Sequence, residues 1–324
     1  MKKIITLCLS AGIQKTIEFS KIQLDKVNRS ENYRFDIAGK AVNSARVLSQ
    51  LTEKFENHLS KSDIKQNIIL ICPLGEKNLD LWNELSNKEN FSQKNILIPG
   101  YTRECCTLIE KASGQVTELV VEEPKIQDRN QESKANELLS ILEKEFSENP
   151  HNKPKALLVA GSIPSYWDKN IIIKIGKLTK KYDILLMADF KGRTLLDLIP
   201  IKIPEIIKIN EEEFLETFYP KIFKQEASIC DTILRDFIKE KSKELENIII
   251  VTRGSKETIL GNQGKILVQK VEEIQIKNTI GCGDSFNAGF LYEYLSSKSL
   301  AKSLEMGTFA ASRNAENIAP GCIL

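Results

Sequence analysis

The chain has 324 residues, enough for one large α/β domain or two ordinary ones with a substantial core. Hydrophobic residues make up 41% and charged residues 28%, and 46 Lys+Arg against 44 Asp+Glu leave a net charge of only +2. That balance provides no global field to draw nucleic acid or a membrane surface, and no apolar run approaches the roughly 20 residues of a membrane span, so neither partner is expected.

Residues 4–9 predict a first core strand. The basic start Met1-Lys2-Lys3 superficially suggests a secretory signal, but the apolar part is short and interrupted by Thr6. Residues 16–20 and 32–37 read as extended strands with no helix between them. Ala41, Ala45, Leu48, Leu51, Phe55 and Leu59 recur every three or four residues and predict a helix over 40–59. A strand over 67–73, a helix over 77–88 and a strand over 95–98 follow. Residues 103–121 read as a hairpin around Lys111-Ala112-Ser113-Gly114. Then come a helix (129–147), a strand (156–160), a helix (167–181) and strands at 184–188 and 205–209. A helix opened by Asn210, another over 226–243 and a strand over 247–252 precede two last helices, 283–296 and 300–316. Apolar strands separated by helices predict an α/β fold in three layers, a doubly wound and mostly parallel sheet. Ligands in such sheets bind at the carboxyl ends of the strands, near a change in strand order. The two departures from alternation, within 16–37 and 103–121, predict a small second sheet.

The seven cysteines, Cys8, Cys72, Cys105, Cys106, Cys230, Cys282 and Cys322, form no Cys-x-x-Cys pair. An odd, scattered set points to reduced thiols in the cytoplasm. With His58 and His151 the only histidines, no zinc-type cluster and no His-activated nucleophile is visible.

The most informative stretch is 278–290, Asn-Thr-Ile-Gly-Cys-Gly-Asp-Ser-Phe-Asn-Ala-Gly-Phe. Gly281 and Gly283 bracket a turn that opens onto a helix, whose first amides and dipole favour an anion. Two glycines let a ligand approach the backbone. Asp284 adds a proton acceptor beside that nest, an arrangement suited to phosphoryl transfer from a nucleotide to an alcohol. The tetrapeptide alone reads better as a plain turn and a first-turn carboxylate. Asn210 and Glu213 likewise form a capping box, complete without any ligand. Gly39 and Lys40 open the first long helix as a second candidate anion site. No P-loop is present, and Phe286 occupies the third position of any dinucleotide fingerprint begun at Gly281.

Taken together, these segments resemble the ribokinase-like, phosphofructokinase-B family of sugar kinases. The 278–290 stretch is similar to its signature Asp/Asn-Thr-x-Gly-Ala-Gly-Asp-x-Phe, with Cys282 in place of Ala, and 38–48 resembles Gly-Gly-Lys-Gly-x-Asn-x-Ala-Arg. The flanks Lys15-Thr16, Val27-Asn28-Arg29, Thr102-Arg103, Glu123-Pro124 and Gly161-Ser162-Ile163-Pro164 align in order with the 1-phosphofructokinase and tagatose-6-phosphate kinase branch. The resemblance implies one kinase domain over 1–324, with a discontinuous β lid from about 12–38 and 100–123 that often pairs with a neighbour's lid, hence a possible homodimer.

It implies Asp284 as base and Gly281, Cys282 and Gly283 with Asp284 as anion hole. Gln14, Arg29, Gly39, Lys40, Asn43, Arg103 and Ser162 would meet the sugar phosphate. Lys208, Asn210, Glu213, Thr252, Gly254 and Asn314 would meet ATP, with Asn210 and Glu213 organising Mg²⁺. Four departures stand out. Relatives carry Asn-Pro-Ala-x-Asp where this chain has Ser10-Ala11-Gly12-Ile13-Gln14, Ala38 and Ala41 replace glycines, and Glu257 stands where a nucleotide-loop glycine often follows. The expected activity is an ATP-dependent kinase of a ketohexose phosphate. The alternatives are a kinase of an unphosphorylated sugar or nucleoside, or a weakly catalytic sugar-phosphate sensor.

Overall fold

A strand that is apolar at every position needs cover on both faces, and this requirement organises the molecule. The computed structural model describes residues 2–122, 128–150, 152–201, 203–225 and 229–324. In chain order, the first strands are β1 (Ile4–Leu7), β2 (Gly12–Phe19), β3 (Tyr33–Ala38), β4 (Ile68–Gly75), β5 (Ser92–Ile98), β6 (Arg103–Glu110) and β7 (Gln115–Val120). They are followed by β8 (Ala156–Ala160), β9 (Leu185–Asp189), β10 (Ile206–Asn210), β11 (Ile248–Thr252), β12 (Thr258–Asn262) and β13 (Lys265–Gln269). Nine of them form one sheet in the order β13-β12-β11-β10-β9-β8-β1-β4-β5. Pairing is parallel from β11 to β5, and β12 and β13 close the far edge antiparallel.

The helices are α1 (Lys40–Phe55), α2 (Lys61–Asn67), α3 (Leu79–Ser86), α4 (Asp128–Phe146), α5 (Ile171–Lys181), α6 (Arg193–Leu196), α7 (Glu211–Phe218), α8 (Pro220–Gln225), α9 (Asp231–Leu245), α10 (Cys282–Ser297) and α11 (Leu300–Ala315). Alternate residues of the same strand serve the two layers. Ile4, Leu70 and Leu158 meet α1, α10 and α11 on one face. Ile5, Leu157 and Val159 meet α4, α5 and α9 on the other. The chain leaves β1 toward β4 on one side and returns to β8 on the other. The order therefore reverses between β1 and β8, where such sheets hold ligands.

The segments that broke the helix–strand alternation form a separate four-stranded sheet, β3-β2-β6-β7, with β2 parallel to β6 and the other pairs antiparallel. Glu123-Pro124 and the first part of the helix expected over 226–243 lie outside the described residues. The helix expected from 167 begins at Ile171, because Pro164 and Asp168 carbonyls close turns onto the amides of Trp167 and Ile171. The β12–β13 hairpin was not anticipated. Its turn is Gln263-Gly264, both at positive φ (49° and 75°), and lacks the Asn-Gly pair that announces such turns.

Helices α10 and α11 pack closely enough to exclude side chains at their crossing. A Cβ on Gly289 would lie 2.4 Å from the Met306 carbonyl oxygen, and one on Gly307 2.9 Å from the Phe286 ring. Because α10 carries Asp284, this contact positions the candidate site. Gly289→Val is expected to cost roughly 1–3 kcal/mol or more through overpacking. Urea unfolding should show a lower midpoint at unchanged slope, and an unaltered midpoint would contradict the packing account.

Candidate active site

Among the described residues, α2, α7 and α11 begin with side-chain caps, Ser60, Asn210 and Ser299, whereas α3, α5, α6 and α9 lack one. The helices α1 and α10 also lack one. Each begins at a glycine, Gly39 and Gly281, with no side chain on its first amides. Both uncapped ends open on one cavity of about 510 Å³ that Lys40, Arg103 and Lys208 also line. Two positive dipole ends and the cations Lys40, Arg46, Arg103 and Lys208 facing one space suit an anion.

The glycines of 281–284 have duties beyond ligand access. Gly281 sits at φ 83°, in the left-handed region, against Gly321 N and Asn314 Oδ1. A Cβ on Gly283 would stand 2.7 Å from Lys208 Nζ, so the missing side chain makes room for that ammonium.

Two carboxylates sit within this ring of cations. Asp189, at the carboxyl end of β9 and 1% exposed, takes Lys40 Nζ at 3.2 Å on Oδ1, and Lys208 Nζ at 3.1 Å and Asn287 Nδ2 at 2.5 Å on Oδ2. Burial pushes its carboxyl up, but the two lysines and Asn287 outweigh that and hold it near 2. Asp284 goes the other way. Burial and the charge of Asp189 lift it to about 6, against the pull of Asn43, Lys40 and Lys208. Asn43 donates from Nδ2 to Asp284 Oδ2 at 2.8 Å and is itself oriented by Arg46 Nη1 on its Oδ1 at 3.2 Å. That leaves Asp284 Oδ1 as the oxygen without an Asn43 bond. Lys40 stays protonated: burial disfavours its charge, and Asp189, Asp284 and Glu213 more than compensate.

Of the residues expected from the sequence, Gln14, Gly39, Lys40, Asn43, Arg103, Lys208, Asn210, Glu213, Thr252, Gly281, Gly283 and Asp284 share the 510 Å³ cavity. Ser162 lines an adjoining cavity of about 360 Å³ that also contains Lys40 and Arg103. Thr252 and Gly254 open onto a third, of about 530 Å³, bordered by Cys282, Gly283 and the apolar Val271 and Ile276. Two expectations change. Arg29 lies in a separate surface depression with Lys15 and Tyr33, at the far end of the small sheet. Asn314 lines none of these cavities and is fully buried. It donates to the Ile280 carbonyl at 2.8 Å and accepts from Gly321 N–H at 2.6 Å, bracing the 281–284 loop from behind. Burial pushes the Cys282 thiol up, so a thiolate lowered by the helix terminus is not what forms.

Glu257, the odd residue of the nucleotide loop, has a structural reason. It accepts from Arg253 at 3.1 Å, and Glu211 and Asp231 take the rest of that buried guanidinium. Asp189 was missed. The sequence signal was its place immediately after a predicted parallel strand.

Asn210 and Glu213 form the reciprocal cap read from sequence: Asn210 Oδ1 accepts from Glu213 N at 2.8 Å and Glu213 Oε2 from Asn210 N at 3.0 Å. One Glu213 oxygen remains for a cation. No group of three acidic, Cys or His side chains suited to a metal occurs among the described residues. So sparse a donor set fits a cation that keeps most of its water and takes other ligands from phosphates, as Mg²⁺ does.

Asn314→Leu removes both bonds and leaves Gly321 N–H unpaired, at an expected cost of about 1–3 kcal/mol. A thermal midpoint equal to the parent's would show that Asn314 does not hold the loop.

Comparison with known proteins places the fold. The pfkB family carbohydrate kinase model matches residues 6–320. A tagatose-6-phosphate kinase of Staphylococcus epidermidis is 25% identical over 291 residues, covering 88% of this chain and 83% of that protein. The structure titled a possible 1-phosphofructokinase from Thermotoga maritima superposes with a TM-score of 0.79 at 16% identity, over 97% of this chain and 92% of that one. Phosphofructokinase-2 of Escherichia coli in complex with fructose-6-phosphate gives 0.74 at 18% identity, over 97% and 94%. A ribokinase of Thermotoga maritima shares the fold at 0.68. With the family model spanning nearly the whole chain, this protein belongs to the pfkB family of carbohydrate kinases and is a phosphotransferase.

Proposed function

We propose that this kinase transfers the γ-phosphoryl group of ATP to a hydroxyl of a ketohexose phosphate of the fructose-1-phosphate or tagatose-6-phosphate type. The observation that carries the reading is the pair of uncapped helix ends, α1 and α10, facing one cavity with Asp284 held near pKa 6 between them. Asp284 Oδ1 takes the proton of the acceptor hydroxyl as its oxygen forms a bond to the γ-phosphorus and the bond to the ADP oxygen breaks. The amides of 281–284, with Lys40 and Lys208, hold the charge on the phosphoryl oxygens.

Asn43 keeps the base turned toward the acceptor. Glu213, fixed by Asn210, would hold Mg²⁺ through its remaining oxygen, and the ion would supply neutralisation of phosphate charge. The 360 Å³ cavity, with Lys40, Arg103 and Ser162, takes the acceptor's own phosphate, for which a guanidinium fork and an ammonium are suited. The name of the Staphylococcus epidermidis relative points to the same substrate class. The four-stranded sheet serves as the lid of the site. It leaves Tyr33, Leu119 and Val120 more than half exposed, and a homodimer contact on that sheet would cover them. Sedimentation showing only monomer at micromolar concentration would remove that dimer.

ADP release with ATP and Mg²⁺, assayed against fructose-1-phosphate, fructose-6-phosphate, tagatose-6-phosphate and free hexoses, tests the reading. Saturable turnover is expected on a phosphorylated ketohexose alone. Asp284→Asn should lower kcat by ~10²–10⁴. In the parent, kcat/KM should fall about tenfold per pH unit below pH 6, as Asp284 protonates. The same shift sets the sign of a stability effect. A carboxyl raised in the fold contributes stability below its unfolded value near 4, and that contribution is lost as pH rises through 6. Asp284→Asn should therefore unfold at a higher temperature than the parent at pH 8 while losing activity. Near-parental turnover in that variant would sink the mechanism.

A further inference from the structure

The cavity wall contributed by the four-stranded sheet has a chemistry of its own. Strand register sets Gln14 directly opposite Asp36 on β3 and Cys105 on β6, so the three side chains share one face, and all three residues line the cavity. Gln14 spends an amide hydrogen on Thr107 Oγ1 at 2.5 Å. Asp36 is held more firmly. Arg34 forks onto it, Nε to Oδ2 at 2.6 Å and Nη2 to Oδ1 at 2.8 Å, and Lys88 Nζ adds a bond to Oδ1 at 2.7 Å. Only 4% of Asp36 is exposed. Burial pushes its carboxyl up, and Arg34 and Lys88 overcome that and keep it ionised.

A carboxylate offers about four acceptor positions. Oδ1 uses two and Oδ2 one, which leaves a single Oδ2 position open among the described residues. A buried, ionised, acceptor-only group with one vacant position on a cavity wall is a reader of a hydroxyl. Glu118, on the same wall, is exposed and lacks that bracing.

We propose that Asp36 is the specificity-determining residue for the acceptor: Oδ2 accepts a hydrogen bond from one hydroxyl of the polyhydroxylated substrate, with the Gln14 amide beside it. A substrate that lacks this hydroxyl, or presents it on the opposite face, leaves a buried charge under-paired and binds poorly. The assignment rests on the proposed function only for placing the acceptor in this cavity.

Binding of fructose-6-phosphate and tagatose-6-phosphate, which differ at one hydroxyl, is measured by calorimetry alongside turnover for the parent, Asp36→Asn, Asp36→Glu and Lys88→Gln. Asp36→Asn is expected to weaken binding of the preferred sugar phosphate about tenfold or more, to leave KM for ATP unchanged and to erase most of the discrimination between the two sugars. Lys88→Gln removes one of the three bonds that hold Asp36 but leaves Oδ2 and Arg34 in place. It should therefore weaken binding less than Asp36→Asn and keep the discrimination between the two sugars, which separates hydroxyl reading from a salt-bridge role. Asp36→Glu retains the charge for both cations, so it reports even if Asp36→Asn fails to fold, and it should shift the preference between the two sugars. Parental discrimination in either Asp36 variant overturns the assignment, as does an equal loss in Asp36→Asn and Lys88→Gln. Sugar-phosphate binding without turnover in the parent would overturn the proposed function while leaving Asp36 standing on the binding data. No binding of either sugar phosphate, or of fructose-1-phosphate, to the parent would overturn both.

Discussion

A single buried charge, the carboxylate of Asp189, ties the site together. Removing a carboxylate from water is costly unless its partners are close and well directed. Here those partners come from three other elements: Lys40 opens α1, Lys208 lies in β10 and Asn287 lies in α10. Satisfying Asp189 therefore fixes the mutual position of the two uncapped helix ends and of the strand that leads into the Asn210 cap. It also anchors two ammonium groups at the edge of a cavity that Asp284, Glu213, Asp36 and Glu118 line as well. Without Asp189, Lys40 and Lys208 would have Asp284 as the nearest buried carboxylate to pair with. Moved a residue along β9, the carboxylate would face the opposite layer.

The same charge separates two chemically identical groups. Asp189 and Asp284 are both buried and near the same lysines, yet one is held near 2 and the other near 6. Asp189 takes direct bonds from both lysines, whereas Asp284 has a neutral amide for a partner and Asp189 itself as a repulsive neighbour. Environments that drive paired titratable groups apart are a recurring way to make one structural and the other reactive.

How much was legible in the sequence depended on whether the signal was local. The apolar runs 4–9, 156–160 and 247–252 became central strands because nothing but a doubly covered sheet accommodates them. The loop at 281–284 declared itself because its glycines and its acid lie within four residues and lead straight into the Phe286–Phe290 period. The small sheet was readable as extended segments without an intervening helix. Non-local signals were not readable. Asp189 acquires its meaning from residues 149, 19 and 98 positions away. Asn314 was given to the nucleotide by resemblance alone, yet it is turned into the protein by the Gly321 amide, whose approach no spacing encodes. Asp36 took no part in any motif, and only the register of β2 against β3 aligns it with Gln14. The β12–β13 turn is formed by a glutamine at positive φ, a residue that gives no turn signal.

The arrangement of Asp284 has a further, thermodynamic consequence. An anion that settles between the ends of α1 and α10 brings negative charge close to a carboxyl already poised near 6. It must raise that group's affinity for protons, and linkage is reciprocal: the protonated form must bind the anion more tightly than the ionised form does. Occupancy and proton uptake are therefore coupled in this cavity. Filling it near neutral pH draws protons from solvent, so the proton balance of binding reports on Asp284.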